Sequence, residues 1–252
     1  MKGLIKILKK FDSQRTKAIK SKKWNKNYVD KCFFPCAEYI LCKGYFLVNN
    51  EYIIDLGAIE LYYHEEEGKI KDHVMYHINE RLPKKYKEIV KQDGGYPYFK
   101  LGSFNLHASG VDVTFENQNE KYRASFLIRS YRVLKKENEE DVKGLEMPFD
   151  ACSTHIFDDM FYSGIFLNSN SNTIKWVKKE KLGKIKKCPR KNVAMYRKEN
   201  DKFEKVSKKD YDDNKEDIRK LVPKPQFFKY GKTEYLQDMR PWQFIRVGII
   251  EK

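Results

Sequence analysis

The sequence lacks long apolar runs and paired cysteine motifs. No run approaches the roughly 20 apolar residues of a transmembrane helix, and the basic N-terminus lacks the apolar stretch of a secretory signal. The five cysteines form an odd set without a CxxC pair, and their spacing matches no zinc-ligand pattern. These absences favour a cytoplasmic protein with reduced, structural thiols and no membrane partner.

Internal repeats and low-complexity linkers are also missing. A chain of 252 residues without them is predicted to form one domain with an ample core. Basic side chains outnumber acidic ones by 51 to 36, which gives a net charge of +15. Such a surplus indicates a polyanionic partner, most commonly nucleic acid, with an anionic membrane or plain solubility as alternatives. The 17 Tyr and 16 Phe suit base stacking beside phosphate contacts.

Two segments carry much of the positive charge. In residues 1–30, Leu4, Leu8 and Phe11 recur at helical spacing, which predicts a short amphipathic helix. The following Arg15–Lys26 is predicted to be solvated, either as a nucleic-acid arm or as a basic surface helix. The second segment is Lys175–Lys191. It holds nine basic residues and one acid and is predicted to contact a polyanion. Its candidate contacts are Lys175, Lys178, Lys179, Arg190 and Lys191.

The stretch Asn50–Glu67 organises the predicted sheet. It begins at an Asn-Asn turn and is mostly apolar up to Leu61, which predicts a strand with a buried face. Glu60 lies near the end of this strand, two residues before Tyr62. An apolar strand end would hold this carboxylate still beside a cleft, as is typical of catalytic acids. The alternative is a solvent-facing residue on a half-buried strand.

Further strands are predicted on both sides of this stretch. Tyr45–Val48 should pair with it through the Asn-Asn hairpin. Phe99–His107 and Val111–Phe115 flank a turn-like Ala-Ser-Gly. Ala124–Tyr131 is apolar apart from Arg129, which needs a carboxylate partner because an unpaired buried charge is very costly.

Three motifs occur in one order along the chain: Glu60-x-Tyr62, the glycine hairpin after Phe99, and Leu127-Ile128-Arg129. In this order and spacing the chain resembles the alkyladenine (3-methyladenine) DNA glycosylase family. DLGAIELYYHEEE is similar to the family's Ile-Val-Glu-Thr-Glu-Ala-Tyr stretch, and SFLIRSYRVL is similar to its Val-Leu-Ile-Arg-Ala strand. The resemblance covers residues 36–134 and, more loosely, 188–193 and 240–244.

The resemblance implies one α+β domain built on a curved, mostly antiparallel β-sheet with surrounding helices. Residues 1–30 would be a basic N-terminal helix or arm, 36–134 the glycosylase-like core, and 135–252 loops, a basic surface and closing strands. The implied activity is base-excision hydrolysis of the N-glycosidic bond of a flipped, damaged purine. The implied partner is DNA or RNA. The resemblance also implies a monomer that needs no cofactor, metal or obligate protein partner.

The resemblance also implies roles for single residues. Glu60 would activate the water as general base, Arg129 would position that water, and Tyr62 would stack on the extruded base. His107 falls where the family has a second aromatic of the base sandwich. His73 lies near the family's base-contacting histidine after a shift in spacing.

Two positions depart from the family pattern. Ser109 stands where the family has the tyrosine that fills the gap left by the flipped base. Asn117 reaches the position of the family's purine-screening asparagine only after a one-residue shift. Because the intercalating tyrosine is missing, a non-catalytic nucleic-acid-binding protein that keeps the scaffold is the main alternative.

Two further readings stay open. His73-x-x-x-His77 would place two imidazoles on one helical face, and with Glu60 or Asp72 they would bind the metal of a hydrolase. The other hypothesis is a nucleophilic cluster formed by Cys152, His155, Asp158 and Asp159. The alternative for these residues is a plain polar loop.

Overall fold

A computed structural model describes residues 1–75, 77–78, 97–107, 110–138, 151–152, 173–199, 202–222 and 224–247. Its helices are α1 (Lys2–Lys20), α2 (Lys26–Cys42), α3 (Lys208–Asp213) and α4 (Lys215–Leu221). The first seven strands are β1 (Gly44–Val48), β2 (Tyr52–Glu65), β3 (Phe104–His107), β4 (Gly110–Thr114), β5 (Tyr122–Lys135), β6 (Ala151–Cys152) and β7 (Ile174–Lys178). The others are β8 (Lys184–Cys188), β9 (Tyr196–Glu199), β10 (Lys202–Lys205), β11 (Phe227–Tyr230), β12 (Thr233–Leu236) and β13 (Gln243–Val247).

The described strands form one antiparallel sheet of nine strands and two separate hairpins. The main path of the sheet runs β3-β4-β5-β2-β1-β7, while β13 joins the far half of β2 to β8, and β6 adds to β5. An α+β fold with a mostly antiparallel open sheet is therefore confirmed. No helix in the described ranges is both long enough and apolar enough to cross a bilayer.

Strand β2 is the centre of this sheet. It pairs with β5 along its whole length, with β1 at its start and with β13 at its end. The Asn49-Asn50 hairpin is confirmed, and both residues have the positive φ angles that a type I′ turn requires, 51° and 58°. The strand reaches Glu65, four residues beyond its predicted end at Leu61.

One face of the sheet packs on the first two helices. Leu61 and Tyr63 of β2 share this core with Phe126 of β5 and with Phe11 of α1, all fully buried. The opposite face of the same strands carries the polar residues of the site, because neighbouring residues of a strand point to opposite sides.

Helix α1 is longer and more buried than its sequence predicts. The expected solvated segment is wrong for Arg15, because α1 continues to Lys20 and the Arg15 side chain lies inside the protein, 5% exposed. The lysines that follow it up to Lys26 are exposed, as on a basic surface helix. The Arg15 guanidinium donates to the Tyr63 hydroxyl at 2.6 Å and to Glu120 at 2.7 Å. Arg15 therefore acts as a buried anchor rather than as part of a nucleic-acid arm.

The C-terminal residues build a smaller unit with its own apolar cluster, formed by Val206, Tyr211, Ile218 and Leu236. Its two hairpins are β9–β10 and β11–β12, and a Ser207–Asp210 capping box starts α3. Strand β13 then returns to the main sheet, where it pairs with β2 and β8.

Replacing Phe11 by alanine tests whether α1 belongs to the core. Deletion of this fully buried ring should lower the free energy of unfolding by about 3–5 kcal/mol. The matched control on the same helix is Ile19→Ala, since Ile19 is 40% exposed and its loss should cost about 0.5 kcal/mol or less. If urea denaturation showed the same loss of unfolding free energy for both variants, the docking of α1 on the core would be contradicted.

Candidate active site

A row of side chains crosses the polar face of the sheet. The strand register aligns Asp112 of β4, Leu127 of β5, Glu60 of β2, Gln243 of β13 and Cys188 of β8. Neighbours in such a row lie about 5 Å apart. Two carboxylates are therefore held in one line on rigid strands, with an apolar residue between them.

Glu60 is fully buried and held from two sides. Its Oε1 lies 3.3 Å from Nε of Arg129, and its Oε2 accepts a hydrogen bond from the Tyr62 hydroxyl at 2.7 Å. Within the described residues Oε1 accepts no hydrogen bond of proper geometry. The carboxylate is thus fixed in place with one oxygen able to accept a proton or a hydrogen bond from a bound molecule.

A local irregularity of the sheet lies beside this pair. The β2–β5 ladder is regular except near Gly57, where Ala58 pairs with Ser130 and the next pair is Ile59 with Ile128. Arg129 consequently has no partner directly across the ladder. Such irregularities re-aim side chains and are frequent next to active sites. The Arg129 side chain remains 27% exposed while its guanidinium reaches the buried Glu60.

The second carboxylate of the row is Asp112. Its Oδ2 lies 3.2 Å from Nε2 of His107, which precedes it in the β3–β4 hairpin. Its buried Oδ1 has no hydrogen-bond partner in the described residues. The sequence signal for Asp112 is its position between Val111 and Val113, because alternation along a strand places it on the face opposite these two buried valines.

Glu60, Arg129, Asp112 and His107 all line one cavity of about 450 Å³. This volume lies within the range of about 300–1,000 Å³ that is typical of small-molecule sites. Its outer wall combines flat and basic side chains: Lys191, Tyr196, Lys205, Phe228, Lys229 and Tyr230. Tyr230 is 71% exposed, and the Lys205 ammonium lies 5.4 Å from its ring centre.

Most of this wall was missed from the sequence. Phe228, Lys229 and Tyr230 belong to the β11 strand of a hairpin that turns at Gly231, where φ is 61°. Their alternation of aromatic and basic residues before a glycine was the available signal. Nothing local, however, places this hairpin opposite Glu60.

Behind Tyr62 lies a buried network of ion pairs. The Arg190 guanidinium is 4.8 Å from the Tyr62 ring centre and binds Asp72 and Asp238, each at 2.8 Å. Arg240 also binds both carboxylates. Burial and the charge of Glu60 raise the pKa of Tyr62 well above its ordinary value, so its hydroxyl stays protonated and donates to Glu60.

The network contradicts one predicted DNA contact and qualifies the role of Tyr62. Arg190 is fully buried and its charge is consumed by two carboxylates, so it cannot face a polyanion. One side of the Tyr62 ring is occupied by Arg190, and the residue is 7% exposed. Its first role is to position Glu60, and stacking on a base stays a prediction.

The other predicted basic contacts divide into two groups. Lys191 is exposed and lines the cavity. Lys175 and Lys178 belong to β7 and Lys179 follows it, at the opposite end of the main strand path from β3, and none of them lines the cavity. Lys175 donates to Asn50 at 2.9 Å, and Lys179 forms a 2.8 Å ion pair with the buried Asp55. Lys179 is therefore a structural residue rather than a nucleic-acid contact.

Two predicted base contacts do not line the cavity that contains Glu60. The Asn117 amide donates to Asp12 of α1 at 3.2 Å. His73 lines a second cavity, with its ring 5.7 Å from that of His64. Contact of either residue with a base stays a prediction, and Ser109 lies outside the described residues.

The positions of the described residues do not support the alternative metal site, and the alternative nucleophilic cluster lies mostly outside the described residues. Residues 73–75 form a turn rather than a helix, and His77 pairs with Glu116. The described ranges contain no group of three or more His, Cys, Asp or Glu side chains placed to hold a metal ion. His155, Asp158 and Asp159 lie outside the described residues, as does the side chain of Cys152.

The contrast between Arg190 and its neighbour Lys191 is testable. Arg190→Gln leaves Asp72 and Asp238 buried without a full charge partner and should cost about 3–5 kcal/mol of unfolding free energy. Lys191→Gln removes an exposed charge and should change it by about 0.5 kcal/mol or less. Similar values for both variants in urea denaturation would contradict the buried network.

The same network predicts a pH dependence. Burial opposes ionisation, but Arg190 and Arg240 outweigh it and hold the pKa of Asp72 and Asp238 below the ordinary value of 3.8. As the pH falls below about 4, the unfolded chain therefore binds protons before the folded chain does, and stability is lost. The stability gap between the wild type and Asp238→Asn should be largest at neutral pH and narrow towards about pH 3. A constant gap in urea titrations across this range would contradict the assignment.

Comparison with protein-family models, with curated proteins and with solved structures gives no match.

Proposed function

We propose that the cavity binds a nucleobase extruded from a nucleic acid and that Glu60 drives hydrolysis of its N-glycosidic bond. The observation that carries the proposal is the Glu60–Arg129 pair at the base of a cavity of suitable size. The proposal includes a divergent relationship to the alkyladenine DNA glycosylase fold. It is supported by the predicted order of motifs and by the convergence of two residues 69 positions apart in the sequence.

The reaction needs a fixed carboxylate and an oriented water. A water that is hydrogen-bonded to both Glu60 Oε1 and Arg129 from the cavity side would attack the sugar C1′ while the bond to the base breaks. The leaving base takes the bonding electron pair, and the proton of the water passes to Glu60. The negative charge of Glu60 also stabilises the positive charge that develops on the sugar.

The cavity walls favour a base over a simple sugar. Tyr62 and His107 offer flat rings beside Glu60, and Phe228 provides another from the outer hairpin. Stacking against flat side chains is the usual way in which a flipped base is held. Lys191, Lys205 and Lys229 stand at the same wall and suit the phosphates on either side of the flipped nucleotide.

One observation favours the second candidate, a nucleic-acid-binding protein without catalysis. The Glu60 side chain has no solvent-exposed surface, and Tyr62 and Arg129 hold it from both sides. Such a carboxylate would serve as a structural partner of Arg129 if no water reached its Oε1.

The substitution Glu60→Gln separates the two candidates. Incubation of the chain with labelled oligonucleotides that carry alkylated or deaminated purines should leave abasic sites, measured as alkali-labile breaks. Loss of the general base should lower this rate by about 10²–10⁴-fold, with affinity for the oligonucleotide unchanged within about twofold.

The matched control is Glu216→Gln, since Glu216 is exposed on α4 and does not line the cavity. It should keep the wild-type rate and affinity. Binding without base release by the wild type would instead establish the non-catalytic candidate. Base release that persists in Glu60→Gln would remove Glu60 from the reaction.

A further inference from the structure

A second cavity of about 710 Å³ adjoins the first. The two cavities share Val74 and Tyr196 in their linings, so they meet at these residues. The first cavity contains the carboxylates Glu60 and Asp112, whereas the second has a different charge pattern. A molecule that fills both would therefore meet two distinct chemical environments side by side.

Positive charge dominates the second cavity. Its basic lining residues are Lys26, Lys69, Lys71, Lys224 and Arg240, together with His73, and its acidic lining residue is Asp238. Asp238 does not balance the lysines, because it is engaged with Arg190 and Arg240. Asp72 completes that network, so two arginines are neutralised by two aspartates.

Once these two arginines and two aspartates are paired, the lysines give the second cavity a net positive charge. Lys71 donates to the backbone carbonyls of Glu65 and Glu66 at 2.6 and 2.7 Å. Lys26, Lys69 and Lys224 are exposed at the cavity, and no ion pair holds them within the described part of the chain. Burial and the positive charge of Arg240 lower the pKa of Lys26, and they outweigh the opposite effect of Asp238 and Asp30. An anion bound here would relieve this repulsion.

We propose that the second cavity binds a phosphate group of the strand whose base enters the first cavity. The proposal rests on the proposed function for the identity of the strand, while the phosphate chemistry rests on the lysine surplus alone. Backbone phosphates flank every base, so a base-binding cavity requires an anion site next to it. Cavity walls concentrate the field of several cations, and a mobile ammonium is a common phosphate ligand.

This assignment places the proposed nucleic-acid surface at the second cavity instead of at Lys175–Lys179. It uses lysines that are distant in sequence, one at the start of α2, one after β2 and one before β11. The strand would pass from the second cavity across Val74 and Tyr196 to the rim that carries Lys191. Tyr196 would then separate the phosphate from the base.

The test measures binding in the Glu60→Gln background, so the result does not depend on base release. A variant carrying Lys26→Gln, Lys69→Gln and Lys224→Gln is compared with a control carrying Lys186→Gln, Lys209→Gln and Lys215→Gln. The two variants have the same net charge, and all six lysines are exposed. Circular dichroism checks that both are folded, and fluorescence anisotropy follows a labelled single-stranded oligonucleotide over a range of salt concentrations.

The cavity variant should bind about tenfold or more weakly than the control at low salt. The slope of log affinity against log salt should fall by about 0.7, the value for one phosphate contact on a single strand. Equal affinity and equal slope in the two variants would overturn the proposal. A further arm replaces the oligonucleotide by a nucleoside 5′-monophosphate or inorganic phosphate. If either ligand binds as tightly as the oligonucleotide, the cavity belongs to a free phosphate compound and the strand assignment falls.

Discussion

The pairing of β2 with β5 fixes the rest of this structure, because it determines where two opposite charges meet. Twelve of its pairs follow one regular register, and the exception is the Ala58–Ser130 pair. That exception leaves Arg129 without a partner across the ladder and within 3.3 Å of Glu60. A slip of the register by one residue would send Glu60 to the opposite face, among the apolar residues that pack on α1 and α2.

Buried charge in this protein serves two different purposes. Asp55 is the shared ion-pair partner of Arg132, Lys179 and Arg246, while Asp72 and Asp238 neutralise two arginines inside the fold. Glu60 and Asp112 differ, since each keeps one buried oxygen without a hydrogen bond in the described residues and each lines a cavity. Leaving a buried polar atom unsatisfied is costly, and the cost is explained if a bound molecule supplies the missing donor.

The proposed division between a base cavity and a phosphate cavity follows from this difference. Two carboxylates and flat rings line the first together with Arg129 and three lysines, and lysines without an ion pair in the described residues line the second. Within the first cavity Glu60 and Asp112 disfavour a phosphate beside them, while the lysines of its outer wall suit one. The proposed phosphate surface is therefore set by how the fold groups these lysines, and not by the local density of lysine in the sequence.

Local sequence determined the elements and the two residues at the centre of the site. Apolar alternation located β2, the Asn-Asn pair located its hairpin, and the presence of Arg129 in an apolar strand required a carboxylate such as Glu60. Long-range packing decided what no local pattern contains. Arg15 and Arg190 look like surface cations in the sequence, yet the fold surrounds them with carboxylates and aromatic rings. Asn117 and His73 point elsewhere, and Phe228 and Tyr230 face Glu60, because the positions of hairpins depend on contacts between residues that are distant in the chain.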